Sequence, residues 1–190
     1  MKTKNIKGLV LLEALMAIAL LSTASTVMGG ILRDSVSTTA LSRDYVQAYN
    51  LSTEAVESIK DIRDTNWLMH PTDNSCWLVI DPTANGVNCA TSQAIEGVNY
   101  VTERTDKGSF KLVAVAGQNL DLEKNLNGAT PYKLPSDSDA AIFYRSVRMT
   151  GLKKVGDIIK SASFDVLVEW KRGNKNAKII RTFTLHNFMK

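Results

Sequence analysis

The chain has 190 residues and a formal net charge of +4, with a sequence pI of about 9.0. This length is that of one domain. Lys2, Lys4 and Lys7 carry much of the positive charge, since the residues after Gly8 have a net charge of only +1. The net positive charge is therefore concentrated in the first eight residues, and the rest of the chain is close to neutral.

A short basic segment ends at Gly8 and is followed by an apolar run from Leu9 to Leu32. A helix of about 24 residues is roughly 36 Å long, which is enough to span a bilayer. Glu13 is the only charged residue between Lys7 and Arg33. A charge inside a membrane span costs roughly 2.5–3.5 kcal/mol, so this position of Glu13 indicates a function.

A glycine followed five positions later by a glutamate that opens an apolar helix resembles the N-terminus of type IV pilin precursors. The resemblance implies that prepilin peptidase cuts after Gly8 and that the new N-terminal Leu9 is methylated. Leu9 stands where the family more often has Phe or Met. Glu13 would pair with the N-terminal amine of a neighbouring subunit during assembly, because pairing removes much of the cost of burying either charge alone. Residues 11–17 are most similar to minor pilins and to the pseudopilins of secretion systems.

The resemblance also implies partners and a location. The partners are prepilin peptidase, other pilin subunits and, indirectly, an assembly platform protein and a cytoplasmic ATPase. Residues 1–8 would be the leader, and residues 9–32 would contact the membrane. The basic start predicts a cytoplasmic N-terminus. The precursor would then be a single-pass protein of the cytoplasmic membrane with its head outside, and later part of an extracellular or periplasmic filament.

Two other interpretations fit the N-terminal segment. A secretory signal peptide has a basic start and an apolar core, and the small residues between Leu21 and Ser25 would serve as its cleavage region. A plain membrane anchor is the second alternative. Neither needs an acid such as Glu13 within its apolar core. In either case the chain would be an anchored or secreted β-rich binding domain with no role in a filament.

Helical periodicity continues beyond the apolar run. One apolar stripe recurs at gaps of three and four residues, and no proline occurs before Pro71. The pattern predicts one helix from about Ile6 to Asp64, of which residues 33–66 are amphipathic, and Trp67 leads into the head. We interpret Gly29-Gly30 either as a segment that melts in a filament or as a site of close helix packing. The stripe consists of Leu41, Tyr45, Ala48, Leu51, Ala55, Ile59 and Ile62.

Residues 67–190 are predicted to form a globular head of loops and antiparallel strands. The fold class is α+β and pilin-like, with the long N-terminal helix packed on a C-terminal antiparallel sheet. Alternation places Phe164 and Trp170 on one strand face, which we expect to contact the helix stripe. The predicted strands are residues 76–81, 98–104, 110–116, 141–149, 164–170 and 177–186, and residues 117–139 are predicted to be loop.

Charge is unevenly distributed along the chain. Residues 151–190 have a net charge of +6, and residues 9–150 have a net charge of −5. Opposite charges on one subunit suit head-to-tail contacts in a filament. A solvated hairpin face is the commoner explanation of such a basic segment. Nucleic-acid binding is disfavoured, because no aromatic residues are interleaved in a basic motif.

Cys76 and Cys89 are the only cysteines, and a disulfide between them would close a loop of about 14 residues in an oxidising compartment. Two free thiols are the alternative. His70 with these cysteines lacks the spacing of a tetrahedral metal site, so no metal is predicted. The acidic Asp137-Ser138-Asp139 lacks the glycine and terminal glutamate of a calcium loop. No cofactor motif or nucleophile elbow is present, and we predict no enzymatic activity.

Overall fold

The structure is a computed structural model. It describes residues 6–73, 75–84, 86–89, 91–115, 142–155, 158–172 and 175–187. The first five residues of the predicted leader, the predicted loop 117–139 and its acidic tripeptide lie outside the described residues. Contacts divide the chain into two compact units, Met1–Tyr45 and Val46–Lys190.

One α-helix, α1, runs over Ile6–Met69. It extends beyond the predicted end at Asp64. The His70 amide still donates to the Asn66 carbonyl at 2.9 Å, and His70 then precedes Pro71. Proline disfavours helical backbone at the residue before it, which accounts for the end of α1 at this point. Trp67 is therefore helical, and it is a partly buried residue packed against the core of the second unit.

The second unit contains a five-stranded antiparallel sheet with strand order β2-β1-β3-β4-β5. Long strands β3 and β4 pair along almost their full length, and β5 continues the sheet as an edge strand. The fold class is thus α+β, with the long N-terminal helix packed on the sheet, as predicted. The strands are β1 Asn99–Arg104, β2 Phe110–Ala114, β3 Ile142–Val155, β4 Ile158–Arg172 and β5 Lys175–His186.

The core lies between the residue 46–69 part of α1 and one face of the sheet. Phe164, Val166, Val168 and Trp170 all point to this face and are buried, as their alternation predicted. They share one apolar cluster with buried residues of α1. Those buried helix residues are Ala48, Ala55, Val56, Ile59 and Ile62.

Two expectations about the helix stripe and the strands were wrong. Leu41 and Tyr45 belong to the predicted stripe but are exposed. Residues Cys76–Leu78 form a turn of 3₁₀ helix and not the predicted strand. The buried Asn66 side chain accounts for this local structure, because its amide donates to the carbonyls of Trp77 and Val79 at 3.3 and 2.9 Å. Both carbonyls accept hydrogen bonds from this helix side chain, and Val79 pairs with Gln93 only through an isolated β-bridge.

The turn between β1 and β2 lies between the predicted strands 98–104 and 110–116. The Thr105 amide donates to the Ser109 carbonyl at 2.7 Å, and the Gly108 amide donates back to the Thr105 carbonyl at 2.9 Å. Gly108 has a φ of 89°, a left-handed conformation that glycine adopts without a Cβ penalty. This turn sets the β1–β2 register, which pairs Arg104 with Phe110.

Candidate functional site

Apolar side chains lie on every side of the helix over residues 9–32. Residues 9–39 are all exposed, and leucines such as Leu9 and Leu21 have 71% and 74% of their surface accessible. The helix is long and apolar enough to cross a membrane by its length and composition. A helix that is apolar all round needs an apolar solvent or a protein partner on all of its faces. The first unit therefore presents the candidate functional surface of the chain.

Glu13 lies in the second described turn of this apolar helix. Its side chain is exposed, as are the side chains of Leu9, Leu12 and Met16 around it. Leu9 and Glu13 are four residues apart, so they lie on the same helix face, one turn above the other. Gly8 is also helical and directly precedes Leu9. The helix thus presents a carboxylate on the same face as the proposed new N-terminal residue.

The serine and threonine hydroxyls within the apolar run donate hydrogen bonds to carbonyls of the same helix. Ser22 donates to the Ala19 carbonyl, and Thr23 donates to the Leu20 carbonyl, each at 2.9 Å. Ser25 and Thr26 donate to carbonyls four residues earlier at 2.8 Å. Because each hydroxyl proton has an acceptor within the helix, these residues lower the hydrophobicity of the segment without exposing unpaired donors.

Gly29 and Gly30 are helical, and a Cβ added at either would meet nothing within 4 Å. Neither glycine is therefore required by a close contact within the described chain. The melting and the helix-packing hypotheses both concern a filament or a membrane neighbour, and both stay predictions.

Arg145 makes several polar contacts that attach the helix within the second unit. Its side chain is only 5% exposed, and its Nη1 lies 3.2 Å from a Glu54 carboxylate oxygen. The same guanidinium donates to the Leu51 carbonyl at 3.1 Å and to the Thr102 hydroxyl at 2.9 Å. One side chain of β3 thus connects α1 with β1. A buried charge is tolerated when its hydrogen bonds are satisfied in this way.

Two further contacts fix the helix at the two edges of the sheet. At the β5 edge, Arg181 donates to the Thr53 hydroxyl at 2.9 Å and lies 5.4 Å from the Tyr49 ring centre. At the β2 edge, the Phe110 amide donates to the Asp61 carboxylate at 3.3 Å. These contacts locate the helix over the whole width of the sheet. The sequence analysis found neither of them.

A second cluster of chemically active side chains follows the end of α1. Cys76 and Cys89 are joined by a disulfide with a Cα–Cα distance of 4.7 Å. The ligand atoms of His70, Cys76 and Cys89 lie within 4.8 Å of one another. His186, the other histidine, is exposed at the end of β5. The fold therefore brings His70 to the cysteines despite a sequence spacing that did not predict a metal site.

Asp73 lies between His70 and Cys76 in this segment. The Ser75 hydroxyl donates to its carboxylate at 2.6 Å, and the Ser75 amide donates to the same oxygen at 2.9 Å. These hydrogen bonds, with a smaller attraction from His70, hold the pKa of Asp73 below its ordinary value. The segment thus keeps a carboxylate ionised three residues before Cys76.

No protein-family model, no curated protein and no solved structure matches this chain. The roles predicted for Gly8, Leu9 and Glu13 therefore rest on the sequence and on the helix that carries them. Lys153, Lys154, Lys171 and Lys178 of the C-terminal strands are exposed, which suits both a solvated face and a contact surface.

Proposed function

We propose that this chain is a structural subunit of a type IV pilus-like filament, of the minor pilin or pseudopilin kind. The observation that carries the proposal is a single carboxylate, Glu13, in an otherwise uncharged apolar run that starts directly after Gly8. Support comes from the length of the apolar helix and from the α+β head whose sheet packs on residues 46–69 of the same helix.

The proposed steps involve different parts of the N-terminal segment. Residues 9–32 hold the precursor in the cytoplasmic membrane with the head outside. Prepilin peptidase removes residues 1–8, and the new amino group at Leu9 is methylated. Glu13 then pairs with the amine of a neighbouring subunit, which fixes the register as the helix leaves the membrane for the filament. The chain itself catalyses nothing, and the energy for extraction comes from the platform and its ATPase.

Processing is tested at Gly8. We expect Gly8→Leu to leave a membrane-retained precursor of full length, because the bulky side chain occupies the position next to the bond that is cut. The measurement is intact mass of the chain recovered from membranes of the native host. Gly30→Leu is the matched control, since it makes the same change in the same helix away from the cut, and it should be processed normally. Normal processing of Gly8→Leu would contradict the proposal.

Assembly is tested at Glu13. We expect Glu13→Leu to be inserted and processed normally but to be reduced at least about tenfold in sheared filaments, because the neighbouring amine then has no counter-ion. Glu13→Asp is the conservative control and should retain part of the incorporation. Filament content equal to that of the unaltered chain in both variants would contradict the role of Glu13.

A further inference from the structure

The segment after α1 folds so that an imidazole faces two sulfur atoms. The Asp73 amide donates to the His70 carbonyl, and the Cys76 amide donates to the Asp73 carbonyl, both at 3.2 Å. These successive turns return the chain toward the helix end between His70 and Cys76. The disulfide then brings Cys89 to the same point, and all three ligand atoms lie within 4.8 Å of one another.

We propose that reduction of the Cys76–Cys89 disulfide converts this point into a binding site for a soft divalent metal ion such as Zn²⁺, with His70, Cys76 and Cys89 as ligands. Two thiolates and one imidazole are a donor set that zinc favours. In a tetrahedral zinc site the ligand atoms are separated by about 3.5 Å, so the three donors need only small adjustments once the sulfurs are no longer bonded.

The reaction balances with a dithiol as the reductant. The dithiol gives two electrons and two protons to the Cys76–Cys89 bond and becomes a disulfide itself. The metal ion then replaces the proton of each cysteine thiol, so two protons are released when it binds. The neutral imidazole of His70 supplies the third ligand, and a water molecule completes the tetrahedron, since among the described residues only these three side chains group together.

The partial exposure of the site would let a metal ion enter it from solvent. Cys76 is buried, while His70 and Cys89 are partly exposed. The disulfide fastens only the two cysteines to each other. A metal ion would in addition fasten them to His70, directly after α1, so the reduced and metal-loaded head would keep a cross-link in place of the one it lost. This inference does not depend on the filament role.

The test uses the full-length chain without a histidine tag in detergent, titrated with Co²⁺ before and after treatment with a dithiol that is then removed. We expect thiolate-to-cobalt charge-transfer absorption only in the reduced sample, with one ion per chain, and its displacement by Zn²⁺. Cobalt absorption in the oxidised sample equal to that in the reduced one would overturn the proposal.

His70 decides whether the site is the one proposed. His70→Ala should weaken zinc binding to the reduced chain at least about tenfold, since even the loss of an outer partner of a ligand costs that much. His186→Ala, which removes the other histidine, should bind as the unaltered chain does. Equal zinc affinity with and without His70 would overturn the proposal, whether the reduced chain is folded or unfolded.

Discussion

Residues 9–32 and residues 46–69 belong to the same helix but to different units, and they use apolar side chains in opposite ways. In the first segment the leucines, isoleucines and valines are exposed on every face. In the second segment one apolar stripe, which includes Ala55, Ile59 and Ile62, is buried against a five-stranded sheet. The difference teaches that the second segment already has its partner within the chain, whereas the first needs one from outside.

Polar groups show the same contrast. In the first segment the serine and threonine hydroxyls bond to carbonyls of their own helix, as Ser22 does. In the second segment the Ser52 and Ser58 hydroxyls also bond within the helix. Two other polar side chains there bond across elements, Asp61 to β2 and Asn66 to the carbonyl of Trp77. A segment whose polar groups bond only within their own helix can move from one environment to another without losing hydrogen bonds. A segment tied by cross-element bonds moves only together with its head.

Among the substitutions that test this comparison, the largest loss of stability is expected in the core between α1 and the sheet. Phe164 is fully buried and packs with its ring 5.5 Å from that of Phe183. Phe164→Ala should lower the free energy of unfolding by about 3–5 kcal/mol, because it removes apolar burial and leaves a cavity. Urea unfolding in detergent, followed by tryptophan fluorescence, measures it, since all three tryptophans lie in the second unit.

Leu20 is the matched control for that substitution, because it is a large apolar residue with 68% of its surface exposed. Leu20→Ala should leave the unfolding midpoint of the head within experimental error. A loss of head stability as large as that of Phe164→Ala would mean that the two segments do not differ as described.

A smaller effect is expected when the attachment of the helix to β3 is removed. Arg145→Ala should cost about 2–3 kcal/mol of unfolding free energy, since the Leu51 carbonyl loses a charged donor and Glu54 loses its counter-ion. The cost stays below that of a fully buried broken pair because the Glu54 side chain is 47% exposed and regains water. The exposed Lys153→Ala should change stability by less than about 0.5 kcal/mol. Equal unfolding curves for both variants would show that Arg145 does not hold the helix.

The smallest expected effect is a change in the pKa of Asp73, which follows the end of α1. Hydrogen bonds from Ser75 depress the pKa of Asp73 below 3.8 in the folded state. The stability that this gives is therefore present above that value and is lost as the pH falls through the lower folded pKa. Ser75→Ala should raise the pKa of Asp73 toward its ordinary value, as measured by carboxyl NMR titration. An unchanged pKa in Ser75→Ala would contradict the assignment of its cause.

Periodicity predicted the parts of the fold that local pattern controls. The buried face of β4 and the buried half of the helix stripe follow from periods of two and 3.6 residues. Leu41 and Tyr45 continue the stripe in sequence but are exposed. The helical period alone therefore does not say which residues of the stripe are buried.

Features that depend on distant residues were not predictable from local pattern. The run Cys76–Leu78 looked like a strand, but the Asn66 side chain donates to Trp77 and Val79 and a 3₁₀ turn forms instead. His70 approaches the cysteines only through the turns of the folded loop. Arg145 did leave a signal, since alternation places this charge on the same buried strand face as Phe143, Val147 and Met149. A charge on such a face needs a partner, and Glu54 on the helix supplies it.

The most direct test of the central claim is the identity of the first residue of the mature chain. Intact-mass analysis and N-terminal fragmentation of the protein taken from its native membrane or filament should give a chain that begins at Leu9 and carries one methyl group. A chain that begins near Thr26, or one that retains Met1 together with the rest of the segment, would contradict the account.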